Sequence, residues 1–262
     1  MGANKDKIFE ENLSQLERDG FLLIKNVLDM ETVQRWRDSL YGRYKRGEYD
    51  RRNSVGNVSY NQLLEQEPDM TRALIAHPSV APYLKATLGK QCQLRSVRAH
   101  LNPDDYTQEW HMDFYDYWYQ EEKVDASRFV QGFCMNTTFY LTDNTPERAR
   151  LTFVKDLCHR AIPEELREHL WYRDDRNNPF QRWCDEQPHI DLYPMSGDAV
   201  VFYSHLPHQG AKMGPDPEGE IRGNIVFHYQ QNPMYPGIRF VSHPQVTLDA
   251  LGYDGTFPFA ED

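Results

Sequence analysis

The chain has 262 residues, 39% of them hydrophobic and 13% aromatic, which is enough apolar material for one sizeable core and too much for a disordered chain. A net charge of −11 leaves no basic stripe for a nucleic-acid backbone, and no apolar run approaches the ~20 residues of a membrane span, so neither partner is expected. The four cysteines, Cys92, Cys134, Cys158 and Cys184, form no Cys-x-x-Cys pair, so reduced thiols in a cytoplasmic protein are the expectation.

Residues 6–19 carry Ile8, Phe9, Leu13 and Leu16 at helical spacing and stop at Asp19-Gly20; the charged start leads into this helix and holds no apolar leader core. A short apolar strand, Phe21 to Ile24, follows. Asp29 reads as the N-cap of a helix carrying Thr32, Val33, Trp36 and Leu40 to about Lys45. Residues 46–59, rich in Arg, Asn, Gly and Ser, read as a mobile loop, and helices are expected over 62–76 and 79–88, punctuated by Pro68 and Pro78.

From Gln91 the pattern changes to β-rich runs at 91–101, 107–115, 129–142, 150–154, 189–193, 198–203, 221–230 and 237–242. About eight strands suit a double-sheet jelly roll. Residues 160–187 interrupt them as an insertion near the barrel mouth. The expectation is a single domain over 1–262, mainly β with flanking helices: helical to about residue 90, jelly roll from about 91 to 245.

Within the second run, Glu109-Trp110-His111-Met112-Asp113 places a histidine and a carboxylate two apart. In an extended segment both side chains point to one face, where a single metal can touch both. A second imidazole from a distant strand completes two imidazoles and one carboxylate, the set associated with non-haem Fe(II) oxygenases, with the opposite metal face left open. The segment Gly197-Asp198 to Gly210 offers two candidates for that imidazole, His205 and His208. Such an oxygenase also needs an electron-rich co-substrate, and a dicarboxylic keto acid calls for a cation that grips a carboxylate bidentately, as arginine does. Arg222 opens the strand that follows, with Asn224, Val226 and His228 on its face by the two-residue period; for His228 a satisfied core histidine is the expectation.

Taken together, these residues resemble the phytanoyl-CoA dioxygenase (PhyH) family of Fe(II)- and 2-oxoglutarate-dependent oxygenases over most of the chain. Leu16-Glu17-Arg18-Asp19-Gly20-Phe21 resembles the family's opening, Trp110-His111-Met112-Asp113 its Trp-His-x-Asp motif, and Tyr140 to Glu147 its strand and turn ending in Thr-Pro-Glu. Gly197-Asp198 through His208, followed by Arg222, is similar to its last motif. The resemblance implies a double-stranded β-helix, a cupin-like jelly roll, with His111, Asp113 and His208 holding iron and Arg222 binding the distal carboxylate of 2-oxoglutarate. It selects His208 over His205, and it places Arg98 where related enzymes set another co-substrate contact. Retention of Asp113 implies oxygen chemistry rather than halogenation, with O2 consumed and hydroxylation as the first expectation; desaturation, ring formation and dealkylation use the same iron.

The chain departs from the family pattern after Thr-Pro-Glu, where Arg148-Ala149-Arg150-Leu151 and Asp156-Leu157-Cys158-His159 stand, and in a longer loop, Met213 to Gly219. All three lie near the expected pocket mouth, so substrate identity does not carry over. Tyr115 and Asp116, just after the ligand pair, suit a pocket wall, and Asp116 with Glu121 and Glu122 suits an amine-bearing substrate. The expected substrate is a small polar metabolite, such as an amino acid derivative or secondary-metabolite intermediate of a biosynthetic route, handled by a monomer or homodimer. The competing readings are a jelly-roll hydrolase or isomerase, which needs no Arg222, and a non-enzymatic binding barrel, which needs no His111.

Overall fold

The computed structural model describes residues 2–52, 56–89, 92–103, 106–113, 134–158, 160, 162–169, 177–212 and 221–230. Strands β1 (Phe21–Ile24), β2 (Arg51–Arg52), β3 (Val58–Tyr60), β4 (Gln93–Asn102), β6 (Cys134–Tyr140), β9 (Ala199–Tyr203) and β11 (Arg222–Gln230) form a seven-stranded sheet in the order β1-β9-β6-β11-β4-β3-β2. Strands β5 (Tyr106–Thr107), β7 (Ala149–Val154), β8 (His189–Leu192) and β10 (His208–Lys212) form a second sheet, β5-β10-β7-β8, and every pairing is antiparallel.

Alternation along the strands of the large sheet separates two cores. Val97, Ala99, Leu101, Phe139, Leu141, Val201, Ile225, Phe227 and Tyr229 pack against Leu16 of α1 (Gly2–Asp19), Val33, Trp36 and Leu40 of α2 (Met30–Lys45), and Leu84 and Leu88 of α5 (Ala81–Leu88). The other face joins Phe21, Tyr140, Val200 and Phe202 to Leu151, Phe153 and Trp110 between the two sheets. Phe21 stacks on Phe153 at 4.7 Å between ring centroids, closing the sandwich at its apolar end.

The helices follow their local signals. Asp29 accepts from Thr32 N at 2.7 Å, the expected N-cap of α2. The helix expected over 62–76 is instead two, α3 (Leu63–Gln66) and α4 (Pro68–Ile75), broken at Glu67 (φ −133°, ψ 59°). Pro68 disfavours helical backbone at the residue before it, and this local steric clash overrides the apolar period.

Three further expectations need correction. Residues 46–59 are not simply a loop: β2 and β3 lie there, with Val58 and Tyr60 0% and 1% exposed, but a strand of three residues is too short for alternation to declare itself. The run 107–115 holds regular pairing only at Tyr106–Thr107; beyond it His111 makes one isolated bridge to His208 and Asp113 sits in a turn. The segment from His208, which lies outside every expected β-run, is the strand β10. The insertion at 160–187 contains a 3-10 helix, Glu164–His169, and α6 (Pro179–Glu186), capped by Asn178, whose Oδ1 accepts from Phe180 N at 2.8 Å. The expected strand at 237–242 lies outside the described residues. Among those residues no helix is long and apolar enough to cross a membrane.

Candidate metal centre

Residues 108–113 are zipped onto β10 and the turn before it. Gln108 N donates to Gly210 O at 2.7 Å, Asp113 N donates to Ser204 O at 3.0 Å, and His111 and His208 exchange both backbone bonds at 3.1 and 3.0 Å. Residues that exchange both bonds stand directly opposite, with side chains on one face. The two imidazole centroids are accordingly 4.2 Å apart.

Each ring has one nitrogen committed. His111 Nδ1 lies 2.8 Å from Glu109 O and His208 Nδ1 lies 2.8 Å from Leu206 O; a carbonyl only accepts, so both Nδ1 atoms carry a proton and Nε2 is the nitrogen each neutral ring would offer a metal. Asp113 places Oδ1 3.5 Å from His111 Nε2 and Oδ2 3.3 Å from His208 Nε2. One ligand atom from each of the three residues falls within 4.8 Å of the others. Two lone-pair imidazoles and a carboxylate fit Fe(II), and none of the four buried cysteines belongs to the set, which argues against a thiolate site. His208 is seated against Phe202 and Phe153, at centroid distances of 4.8 and 5.9 Å, so its side of the centre is dry.

The carboxylate is held from a second direction. Asn136 Nδ2 on β6 donates to Asp113 Oδ2, and Ser204 Oγ donates to Asn136 Oδ1 at 2.8 Å. On β11, His228 Nε2 lies 3.7 Å from the same Oδ2, and its Nδ1 meets Ser96 Oγ at 2.9 Å. Burial pushes the Asp113 carboxyl up, but His208, then His228 and His111, outweigh it and hold the group well below the usual carboxylate range. Asp113 is therefore an anion at neutral pH, the form a metal requires.

The ligand segment is braced from behind by α6. Gln181 accepts from Trp110 N at 2.8 Å and donates to Trp110 O at 2.7 Å, while Trp110 Nε1 donates to Asp185 Oδ1 at 2.7 Å. At the distal motif, Asp198 is 2% exposed and accepts from Lys25 Nζ, Met195 N and Asn26 N at 2.7 to 3.0 Å, fixing the start of β9. Gly197 has φ +88°, and a Cβ there would stand 2.7 Å from Leu28 O, so only glycine fits.

Arg222 is 7% exposed. With its amide set by its neighbours, Asn102 accepts from Arg222 Nη1 at 3.2 Å and donates to Leu101 O and Asn57 Oδ1 at 3.2 and 3.1 Å. Gly210 lies two residues beyond His208 and so shares its face. A Cβ built on Gly210 would stand 3.8 Å from Arg222 Nη1 and 3.8 Å from Gln108 Oε1. The missing side chain thus opens a space between the histidine pair and the guanidinium.

The structure brings His111, Asp113, His208 and Arg222 to one side of the large sheet and leaves His205 apart, stacked on Tyr203 at 5.4 Å with Nε2 3.4 Å from Cys158 O. Arg98 shares the strand face of Ser96, His100 and Asn102 but is exposed. Tyr115 and Asp116 lie outside the described residues. Reading His228 as a core histidine misses half its role, because its Nε2 faces Asp113. Asn136 and Gln108 also escape sequence reasoning; the available signal was an amide in a strand, Cys134–Tyr140, whose every residue is buried, since a buried amide must find partners.

A family model described as Phytanoyl-CoA dioxygenase (PhyH) matches residues 16–213. The ectoine dioxygenase of Stutzerimonas stutzeri (strain A1501) is 22% identical over 239 residues, covering 85% of this chain and 76% of that protein. The ectoine dioxygenase of Bordetella bronchiseptica is 24% identical over 262 residues, covering 90% and 80%. Among solved structures, the non-haem α-ketoglutarate-dependent epimerase SnoN from nogalamycin biosynthesis superposes with a TM-score of 0.66 at 18% identity over 89% of this chain and 86% of that one. HygX from Streptomyces hygroscopicus, with nickel and 2-oxoglutarate bound, gives 0.63 at 16% over 85% and 87%. The structural likenesses establish the jelly-roll fold, and the family model, spanning most of the chain and both histidine-bearing motifs, establishes that this chain belongs to the phytanoyl-CoA dioxygenase (PhyH) family of Fe(II)- and 2-oxoglutarate-dependent oxygenases.

Proposed function

We propose that the protein oxidises an unactivated C–H bond of a small polar metabolite, with hydroxylation as the first reaction expected and 2-oxoglutarate converted to succinate and CO2. His111, Asp113 and His208 hold Fe(II), and Arg222 binds the distal carboxylate of 2-oxoglutarate. The observation that carries this reading is the spacing of donors: three ligand atoms within 4.8 Å, and a buried guanidinium across the gap above Gly210. The family match ends at residue 213, so Arg222 rests on that geometry.

When bound, the iron and its keto-acid co-substrate supply the O2 chemistry that no side chain here can perform. The chain's own contribution is placement. Nδ1 bonds to Glu109 O and Leu206 O fix both imidazoles as neutral ligands, and Asn136 and His228 hold Asp113. Phe153 and Phe202 exclude water beside His208, and Arg222 orients a dicarboxylate through a paired hydrogen bond. Arg98, exposed on the same strand face, is a second cation for co-substrate or substrate, and Tyr115 and Asp116 are assigned to the substrate wall.

The test is anaerobic titration of the Fe(II)-loaded protein with 2-oxoglutarate, followed by the weak visible absorption of the chelate, in the native chain and in Arg222→Ala. Absorption that saturates in the native chain, and needs on the order of 100-fold more co-substrate in the variant, is the expected result. Metal uptake without any such absorption would discard the oxygenase reading. A screen of small polar metabolites for succinate release then identifies the substrate.

A further inference from the structure

Asn102 stands opposite Arg222 in the β4–β11 register, so the two side chains rise as neighbours from one face of the large sheet. Both are nearly closed to solvent, at 2% and 7% exposed. Its surroundings decide which way the Asn102 amide faces. Leu101 O and Asn57 Oδ1, at 3.2 and 3.1 Å, are acceptors and take the two N–H groups, which turns the amide oxygen to Arg222 Nη1 at 3.2 Å. The same guanidinium presents Nη1 and Nη2 to the space over Gly210, 3.8 and 4.0 Å from where a Cβ would stand. A chain of hydrogen bonds thus runs from Asn57, just before β3, through Asn102 to the cation.

We infer that Asn102 is a positioning residue for Arg222, holding one Nη1 hydrogen so that both Nη atoms stay turned to the space over Gly210; the inference rests on the Fe(II)/2-oxoglutarate reading above. Arginine ends a long chain of rotatable bonds, and it grips a carboxylate through two parallel hydrogen bonds only when its planar fork is presented in the right orientation. The Asn102 oxygen supplies that constraint from the neighbouring strand. A neutral amide suits this place. It accepts from the guanidinium without cancelling its charge, whereas a carboxylate here would pair with Arg222 and compete with any incoming anion. Asn102 itself touches no co-substrate in this account; it acts through Arg222, and its effect is confined to ligands that carry a distal carboxylate.

That confinement is the test. 2-Oxoglutarate and 2-oxobutyrate share the keto-acid end, but only the first has a distal carboxylate. Each is titrated into the anaerobic Fe(II) protein and followed by visible absorption, after metal affinity has been measured by competition with a chromogenic chelator. Asn102→Leu removes the acceptor; Asn102→Asp keeps the shape, sets a carboxylate against the guanidinium, and carries the test if the leucine variant does not fold. The expected result for Asn102→Leu is 2-oxoglutarate bound about 10-fold more weakly, with metal and 2-oxobutyrate bound as in the native chain. For Asn102→Asp the loss is on the order of 100-fold, again for 2-oxoglutarate alone. Unchanged 2-oxoglutarate affinity would overturn the assignment, as would equal losses for both keto acids or for the metal, which would make Asn102 a structural residue only. Arg222→Ala separates the two levels of argument. If it abolishes the preference for 2-oxoglutarate while the Asn102 variants keep it, this inference alone fails; if the native protein takes metal but neither keto acid, the functional reading fails and the inference falls with it.

Discussion

His228 Nε2 stands 3.7 Å from Asp113 Oδ2, on the strand that also carries Arg222, so one strand reaches both the candidate carboxylate ligand and the buried guanidinium. Asn136 and His228 both meet Asp113 Oδ2, the oxygen that also lies 3.3 Å from His208 Nε2, and so fix the carboxylate against the histidine pair. Such supporting groups are worth about 10- to 100-fold in metal affinity. Asn136→Ala and His228→Leu are each expected to weaken Fe(II) or Co(II) binding by that factor, and the double variant by less than the product, because both act on one oxygen. Chelator competition reads this directly; additive losses would show that the two residues hold the centre independently.

Gly210 is the floor between Gln108 and Arg222, with 3.8 Å from its would-be Cβ to a polar atom of each. Gly210→Val fills that floor while leaving the ligand triad and the strand pairing in place, since β-branched residues suit strands. Co-substrate affinity should fall more than 10-fold, with metal affinity unchanged. Equal 2-oxoglutarate binding in the variant would mean that the co-substrate takes a different route to Arg222.

Much of the centre was legible in the sequence, for identifiable reasons. His111 and Asp113 are two residues apart, so local geometry alone puts them together, and the Gly197-Asp198 turn marks where the distal strand begins. The choice of His208 over His205 was not accessible to local reasoning, because it depends on the bridge register between His111 and His208. The same holds for Asn136, His228 and Ser96: only the pairing of His228 with both Asn136 and Ser96 brings them to Asp113. Register across a sheet is fixed by many side chains at once and leaves no mark at any single position. Short pieces such as β2 and β3 fail for a different reason, having too few residues for a period to be read.

Gln181 makes both backbone hydrogen bonds of Trp110, the residue before His111. Gln181→Leu leaves a buried N–H and C=O without these partners, at a cost of about 2–4 kcal/mol. The loss is expected twice over, as a lower denaturation midpoint and as weaker metal binding, because the segment carrying two ligands loses its brace. Because the variant binds metal more weakly, metal stabilises it less than the native chain through linkage, so the gap between native and variant midpoints widens at saturating metal. A gap that stays constant would show that α6 supports the fold without bearing on the ligands.

His100 lies opposite Asn224 in the β4–β11 register, with Nδ1 buried and without a hydrogen-bond partner among the described residues. Burial, reinforced by the nearby Arg98 and His228, lowers its pKa to about 3, so it is neutral in the folded protein. The unfolded chain takes up that proton near the ordinary histidine value of ~6.5. The folded-state pKa is the lower of the two, so the neutral form's contribution is fully present above ~6.5 and is lost progressively as pH falls from there towards 3. Between pH 7 and 5 this group alone removes about 2 kcal/mol. His100→Gln, which cannot titrate, should lose correspondingly less stability over that interval, measured as the difference between urea midpoints at the two pH values. An identical pH dependence in the native chain and the variant would show that His100 keeps or loses its proton alike in the folded and unfolded states. The neutral imidazole beside Arg222 would then be an incorrect description of this wall of the pocket.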